Sequence, residues 1–145
     1  MSYLLTLLLL WGYQEINNQT SQVSDKVEFI DTYPVKVDGN ASFFTFDSTS
    51  LTKGKFIFVV SGSKTAFFKK GGKLVIVSFL KREVKQNGYI DHFYDSGYQV
   101  TLDVNRGEKI SEWSTEYSGQ LKLVQKNKVM TIAVHGVNEE FGLNR

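Results

Sequence analysis

"FFKKGGKLVIVSF", residues 67–79, sets two glycines among three lysines between apolar runs, and its reading decides the fold. A phosphate-binding P-loop needs G-x-x-x-x-G-K-[ST] between a strand and a helix, so that backbone amides and a helix N-terminus meet the phosphates. Here Gly71-Gly72-Lys73 runs into Leu74-Val75-Ile76-Val77, a strand pattern, and no Ser or Thr follows the lysine. The stretch reads as a β-hairpin with an exposed, lysine-flanked tip. Adjacent rings at Phe67-Phe68 must then face opposite sides of a sheet, so a single core cannot hold both.

The same logic extends in both directions. Downstream, Lys73 to Gln86 forms a long strand, Asn87-Gly88 is the strongest short hairpin signal in the chain, and Tyr89 to Asp95 returns. Asp95-Ser96-Gly97 turns into Tyr98 to Val104, where Tyr98, Val100, Leu102 and Val104 alternate with polar residues. Asn105-Arg106-Gly107 reads as a further turn, followed by a loop or short helical turn near Trp113. A strand then carries Tyr117, Gly119, Leu121 and Leu123 on one face. Lys126-Asn127 leads into a last strand with Met130, Ile132 and Val134 facing in, and the tail from Val137 is polar and weakly determined.

Upstream, Val27, Phe29, Tyr33, Val35 and Val37 share one parity, which predicts a half-buried strand with Pro34 at an edge or bulge. Ala41 to Ser48 and Gly54 to Gly62 are the next two strands. The expectation is about nine strands joined mostly by turns of two to four residues, with no helix of ten or more residues. Short connections imply antiparallel neighbours, so the fold class is all-β: a single antiparallel meander closing as a β-sandwich or a flattened β-barrel. No repeat of fixed period argues for a propeller or solenoid.

Composition agrees. A chain of 145 residues is of single-domain size, 14% of it is aromatic, and it has one proline. Branched and aromatic side chains of this kind suit a pleated, half-buried surface. Seventeen basic residues against fifteen acidic ones leave a net charge of +2, too balanced for a general attraction to nucleic acid or anionic membrane. Without cysteine, the chain can form no disulfide, thiolate zinc site or thiol nucleophile.

Residues 1–13 hold an uncharged start with an apolar run from Leu4 to Trp11 broken only by Thr6. The run is shorter than the roughly 20 residues of a transmembrane helix, which predicts no transmembrane span. It has the length of a signal-peptide core, although no Lys or Arg precedes it and no small-x-small site follows. Residues 14–26 form a polar Asn/Gln/Ser/Thr linker, and residues 27–145 the all-β domain. This organisation points to a secreted or periplasmic protein, with a cytoplasmic one as the alternative.

Few residues suggest chemistry. There are two histidines, His92 and His135. His92 lies between Asp91 and Asp95, but Asp91 and His92 point to opposite faces of a strand, so no ready-made His-carboxylate pair is implied. A metal site would need both histidines brought together, and no cofactor motif or nucleophile elbow occurs. We expect no catalytic residue, no metal and no cofactor. Aromatic residues are more numerous than a small core needs, which nominates Phe67, Phe68, Phe79, Tyr94 and Trp113 as ligand contacts and Lys69, Lys70 and Lys73 as anion contacts.

These features lead to a non-catalytic binding or interaction module of the secreted or cell-envelope space, its partner a protein or a small apolar ligand. Three alternatives stand beside it. One is a calycin-like barrel, by architectural analogy only, in which Val75, Val77, Phe79, Val100, Leu102, Leu121, Leu123, Ile132 and Val134 would line a void around an apolar ligand. Another is a single-stranded nucleic-acid binder, with bases stacked on Phe67 and Phe68 beside lysines. The third is a hydrolase with a carboxylate and histidine site.

Overall fold

The computed structural model describes residues 26–140, so the leader and almost all of the polar linker expected from sequence lie outside the described residues. Nine strands follow in order: β1 (Val27–Glu28), β2 (Asn40–Phe46), β3 (Phe58–Val60), β4 (Thr65–Lys70), β5 (Lys73–Lys85), β6 (Gly88–Asp95), β7 (Tyr98–Ser111), β8 (Ser114–Gln125) and β9 (Lys128–Glu140). A three-residue 3-10 turn at Leu51–Lys53 is the remaining regular element among the described residues. No helix there is long and apolar enough to cross a membrane, a statement that concerns helices alone.

From β2 to β9 each strand pairs antiparallel with the next, and β9 returns to β2 from Asn40↔Glu140 to Phe46↔Val134. The meander therefore closes into an eight-stranded barrel, with β1 as one added strand against β4. Closure removes the open edges that a sandwich of the same strands would leave to be protected.

The hairpin at residues 67–79 forms as the sequence requires. Lys70 pairs with Lys73, and Gly71 and Gly72 both take positive φ, 58° and 76°, as a tight primed turn demands. Phe68 enters the barrel and Phe67 points out of it, both fully buried. Inside, Phe44, Phe58, Phe68 and Phe93 form an aromatic centre, with Phe58 edge-on to Phe93 at 5.5 Å and Phe68 edge-on to Tyr98 at 5.2 Å. Val100, Leu102, Leu121, Leu123 and Val134 complete it. These residues meet one another across the barrel, so the void expected along them in a calycin-like barrel is filled through the middle.

Outside, Phe67 joins Ile30 and Val59 in a second buried cluster, flanked by Val35, Val37, Phe43 and Phe56. The strand expected over residues 27–37 is only the two-residue β1, and the rest crosses the outer face as an irregular strap. Strand pairing dictates this difference. Beyond Phe68 the edge of β4 is free because β3 has ended, and β1 pairs there with Lys69 and Lys70. Further along, β3 and β5 occupy both edges of β4, so the strap has no ladder to join and instead lays Tyr33 on Phe67, ring centroids 5.5 Å apart.

Three boundaries also differ from expectation. The β5–β6 loop is Gln86-Asn87, with Gly88 already in β6, opposite Lys85. The segment Asn105-Arg106-Gly107 does not turn; β7 continues through an irregular register to Ser111 and pairs with β8. From Val137 to Glu140 the chain is strand rather than tail, because Ala41 and Asn40 of β2 supply the partners that close the barrel.

Candidate functional site

One end of the barrel interior is polar, and its key feature starts from a bulge. In β5, Val75, Val77 and Phe79 lie on the inner face, but the register slips between Phe79 and Lys81. Leu80 is extruded to solvent, and Arg82 takes the inner position opposite Asp91. Asp91 shares the inward parity of Tyr89 and Phe93, so the fold carries a carboxylate into the barrel, 3% exposed.

A buried charge of that kind needs a partner and full hydrogen bonding. Arg82 supplies both: its Nε donates to Asp91 Oδ1 at 2.7 Å and its Nη2 to Oδ2 at 2.9 Å. The guanidinium carbon lies 3.8 Å from the centroid of the Tyr89 ring, which fixes the plane of the fork. Hydrogen bonding to Asp91 holds the Arg82 guanidinium above its ordinary pKa, against the opposing effect of its partial burial. Burial first, and the Asp91 charge second, push the Tyr89 phenol above the ordinary value of 10.0, while a hydrogen bond to Ser42 pulls the other way. Ser42 Oγ donates to Asn138 Oδ1 at 3.3 Å, and the Tyr89 ring packs on Tyr117 with centroids 5.2 Å apart.

Above this layer opens a cavity of about 340 Å³. Val60 and Phe79 give it an apolar wall; Ser42, Arg82, Asp91 and Asn138 give it a polar floor, with Lys64 at the rim. Phe79 stacks edge-on to Phe93 at 5.9 Å, and the Lys64 ammonium lies 5.0 Å from the Phe79 centroid. Asn138 also borders a second cavity of about 320 Å³ beside Arg106, Lys109, Trp113 and Tyr117. A third, of about 250 Å³, lies at the opposite end by Lys70, Tyr98 and Met130.

Of the residues nominated from sequence, Phe79 lines the first cavity, Trp113 the second and Lys70 the third. They are not brought together. Phe67 and Phe68 are fully buried in separate clusters and offer no free ring face to a base or ligand. Tyr94 is 52% exposed on the outer wall. Lys69 is bound to Asp31 at 3.3 Å, Lys70 lies over the Tyr98 ring at 5.4 Å, and Lys73 is exposed beside the hairpin turn. The histidines are likewise apart: His92 Nε2 is 2.8 Å from Glu83 Oε2, whose carboxyl it holds below the usual range, and His135 contacts the Thr49 carbonyl. No group of three or more metal-ligating side chains occurs among the described residues.

The Arg82–Asp91 pair escaped notice in the sequence, yet two signals mark it. Asp91 is a charge at an apolar-parity position, and counting back from the β5–β6 loop sets Arg82 directly opposite. Only the unseen bulge at Leu80 hid that Arg82 also faces inward. Comparisons with protein-family models, with characterised proteins and with solved structures find no match to this chain.

Proposed function

We propose that this chain is a non-catalytic binding module that holds a small molecule in the polar-floored mouth of its barrel. The observation that supports it is the placement of the 340 Å³ cavity. An eight-stranded barrel has an interior just wide enough to be filled by side chains or to hold one small ligand. Here the aromatic centre is filled and the end above Arg82 and Asp91 is open. The volume falls near the lower end of small-molecule sites, which combine an apolar wall with a few fixed polar groups, as Val60 and Phe79 do with Arg82 and Asn138. The module acts in the secreted or cell-envelope space, a proposal resting on the apolar run Leu4 to Trp11 and the polar stretch behind it.

Ligand screening on ¹⁵N-labelled protein tests the site. Binders are expected to shift the amides of Ser42, Ser61, Gly62, Phe79 and Asn138, and Val60→Trp, which fills the cavity, is expected to abolish them. Hits that map elsewhere, or that survive Val60→Trp, overturn the proposal. Export is tested by the mass of the protein recovered from its native cells: a start between residues 12 and 22 supports it, and an intact chain in the cytoplasm defeats it.

A further inference from the structure

We infer that the mouth selects a small organic anion, a carboxylate or a group of like shape and charge, whose apolar body rests on Val60 and Phe79. This rests on the preceding proposal that the mouth is a binding site. Its support is a count of which polar groups at the cavity are already used.

Asp91 is the carboxylate facing the cavity, and both of its oxygens accept from Arg82. Two of its roughly four acceptor positions are taken and its charge is matched by Arg82, so it adds no unbalanced negative charge to the mouth. Arg82 is not used up in the same way. A guanidinium has five N–H donors in a planar fork, and Asp91 takes one from Nε and one from Nη2. Nη1 makes no hydrogen bond to the described residues, and the side chain is 47% exposed at the cavity wall. Asn138 shows the same bias, since its Oδ1 accepts from Ser42 whereas its amide nitrogen makes no hydrogen bond to the described residues. Ser61 is committed as well, donating to the Lys36 carbonyl and accepting from the Ser63 amide.

What remains at the mouth is an excess of donors: the outer edge of Arg82, the amide nitrogen of Asn138 and the rim ammonium of Lys64. Two positive charges face one negative charge that is internally satisfied. A planar guanidinium edge suits the two oxygens of a carboxylate. Because Asp91 and the Tyr89 ring fix the plane of the fork, a ligand meets that edge already oriented, which reduces the ordering cost of binding.

The test uses three probes of one shape: 3-phenylpropanoate, 3-phenylpropanol and 3-phenylpropylamine. Each is titrated into the ¹⁵N-labelled protein at fixed ionic strength, with Kd read from amides of the mouth. The carboxylate should bind about tenfold more tightly than the alcohol, the worth of one charge-assisted hydrogen bond, and the amine more weakly than either. Arg82→Lys keeps a cation against Asp91 but removes the outward Nη edge, and should erase most of the carboxylate's advantage. Lys64→Gln, at an exposed rim position, should weaken the carboxylate severalfold and leave the alcohol unchanged, and it stands in should Arg82→Lys fail to fold. Equal affinity for carboxylate and alcohol at the mouth overturns the anion inference alone. Failure of all three probes to shift the mouth overturns both it and the binding proposal.

Discussion

Replacing Arg82 by Met gives the most direct test of how the mouth is built. The substitution keeps much of the side-chain volume but leaves Asp91, 3% exposed, as a buried carboxylate without a partner. Breaking a buried pair from one side costs about 3–5 kcal/mol. Arg82 is itself half exposed, so water can reach part of the site and the lower end, ~3 kcal/mol, applies here. Asp91→Leu should cost less, about 1.5 kcal/mol, because the freed guanidinium can turn toward solvent. The double variant replaces both charges by apolar groups and should cost roughly what Asp91→Leu costs alone, since once Asp91 is gone Arg82 has no buried partner left to lose. The two single losses then fail to add by ~3 kcal/mol, well beyond the ~0.5 kcal/mol scatter of independent sites. Urea unfolding followed by far-ultraviolet circular dichroism measures all four proteins. Additivity within that scatter would refute the claim that the two side chains form one buried, coupled unit.

Two further perturbations separate the layers of the fold. Phe67→Ala removes the fully buried ring of the outer cluster and should cost ~3 kcal/mol. It should also speed hydrogen exchange at the Ile30 amide, which donates to the Phe56 carbonyl at 2.8 Å, whereas Phe68→Ala, inside the barrel, should leave that local opening unchanged relative to global unfolding. Equal acceleration by both variants would mean that the strap is not a separate layer. Alkaline pH probes Tyr89, whose phenol titrates higher folded than the 10.0 of an unfolded chain. The folded state therefore keeps a proton that the unfolded state gives up, so stability is level below pH 10 and falls above it, by about 1.4 kcal/mol per pH unit from this one group. Tyr89→Phe should make that alkaline limb shallower in denaturant titrations across pH 8 to 11; an unchanged slope would count against a buried phenol.

Much of the barrel could be read in advance because period-two alternation and turn chemistry are local. Tyr98 to Val104 alternates without interruption, and Gly71-Gly72 and Asp95-Ser96-Gly97 turn where they should. The opposite faces of Phe67 and Phe68 followed from adjacency alone. Long-range pairing decided what sequence missed. Residues 27–37 have strand parity, but parity says nothing of whether a neighbouring edge is free, and β4 offers one only at Lys69 and Lys70. Asn105-Arg106-Gly107 carries turn residues, yet the ladder between β7 and β8 carries the chain past them. For the mouth, the inward parity of Asp91 was visible, whereas the inward position of Arg82 depends on a bulge at Leu80 that leaves no compositional mark. The surplus of aromatic rings was real, but it went into two cores rather than into exposed contacts.

The division between a filled centre and a charged end bears on what the ion pair contributes. A barrel centred on Phe44, Phe58, Phe68 and Phe93 gains its stability from apolar burial, and nothing in that packing needs Arg82 or Asp91. Apolar residues at both positions would close the end at a cost of only about 1.5 kcal/mol, so the pair is poorly explained as a stabilising device. It does set a planar donor edge at a fixed orientation, backed by the Tyr89 ring and facing a cavity. The bulge at Leu80 points the same way: it exposes a leucine at 62% and interrupts the β5–β6 ladder, and Arg82 faces inward beyond it. Bulges concentrate at barrel rims and next to functional sites, where they re-aim a side chain. Replacing both members by apolar residues, Arg82→Met with Asp91→Leu, should therefore remove the donor edge and abolish anion binding. The apolar centre would remain intact, so loss of the mouth without loss of the barrel is the outcome that ties the ion pair to binding rather than to folding.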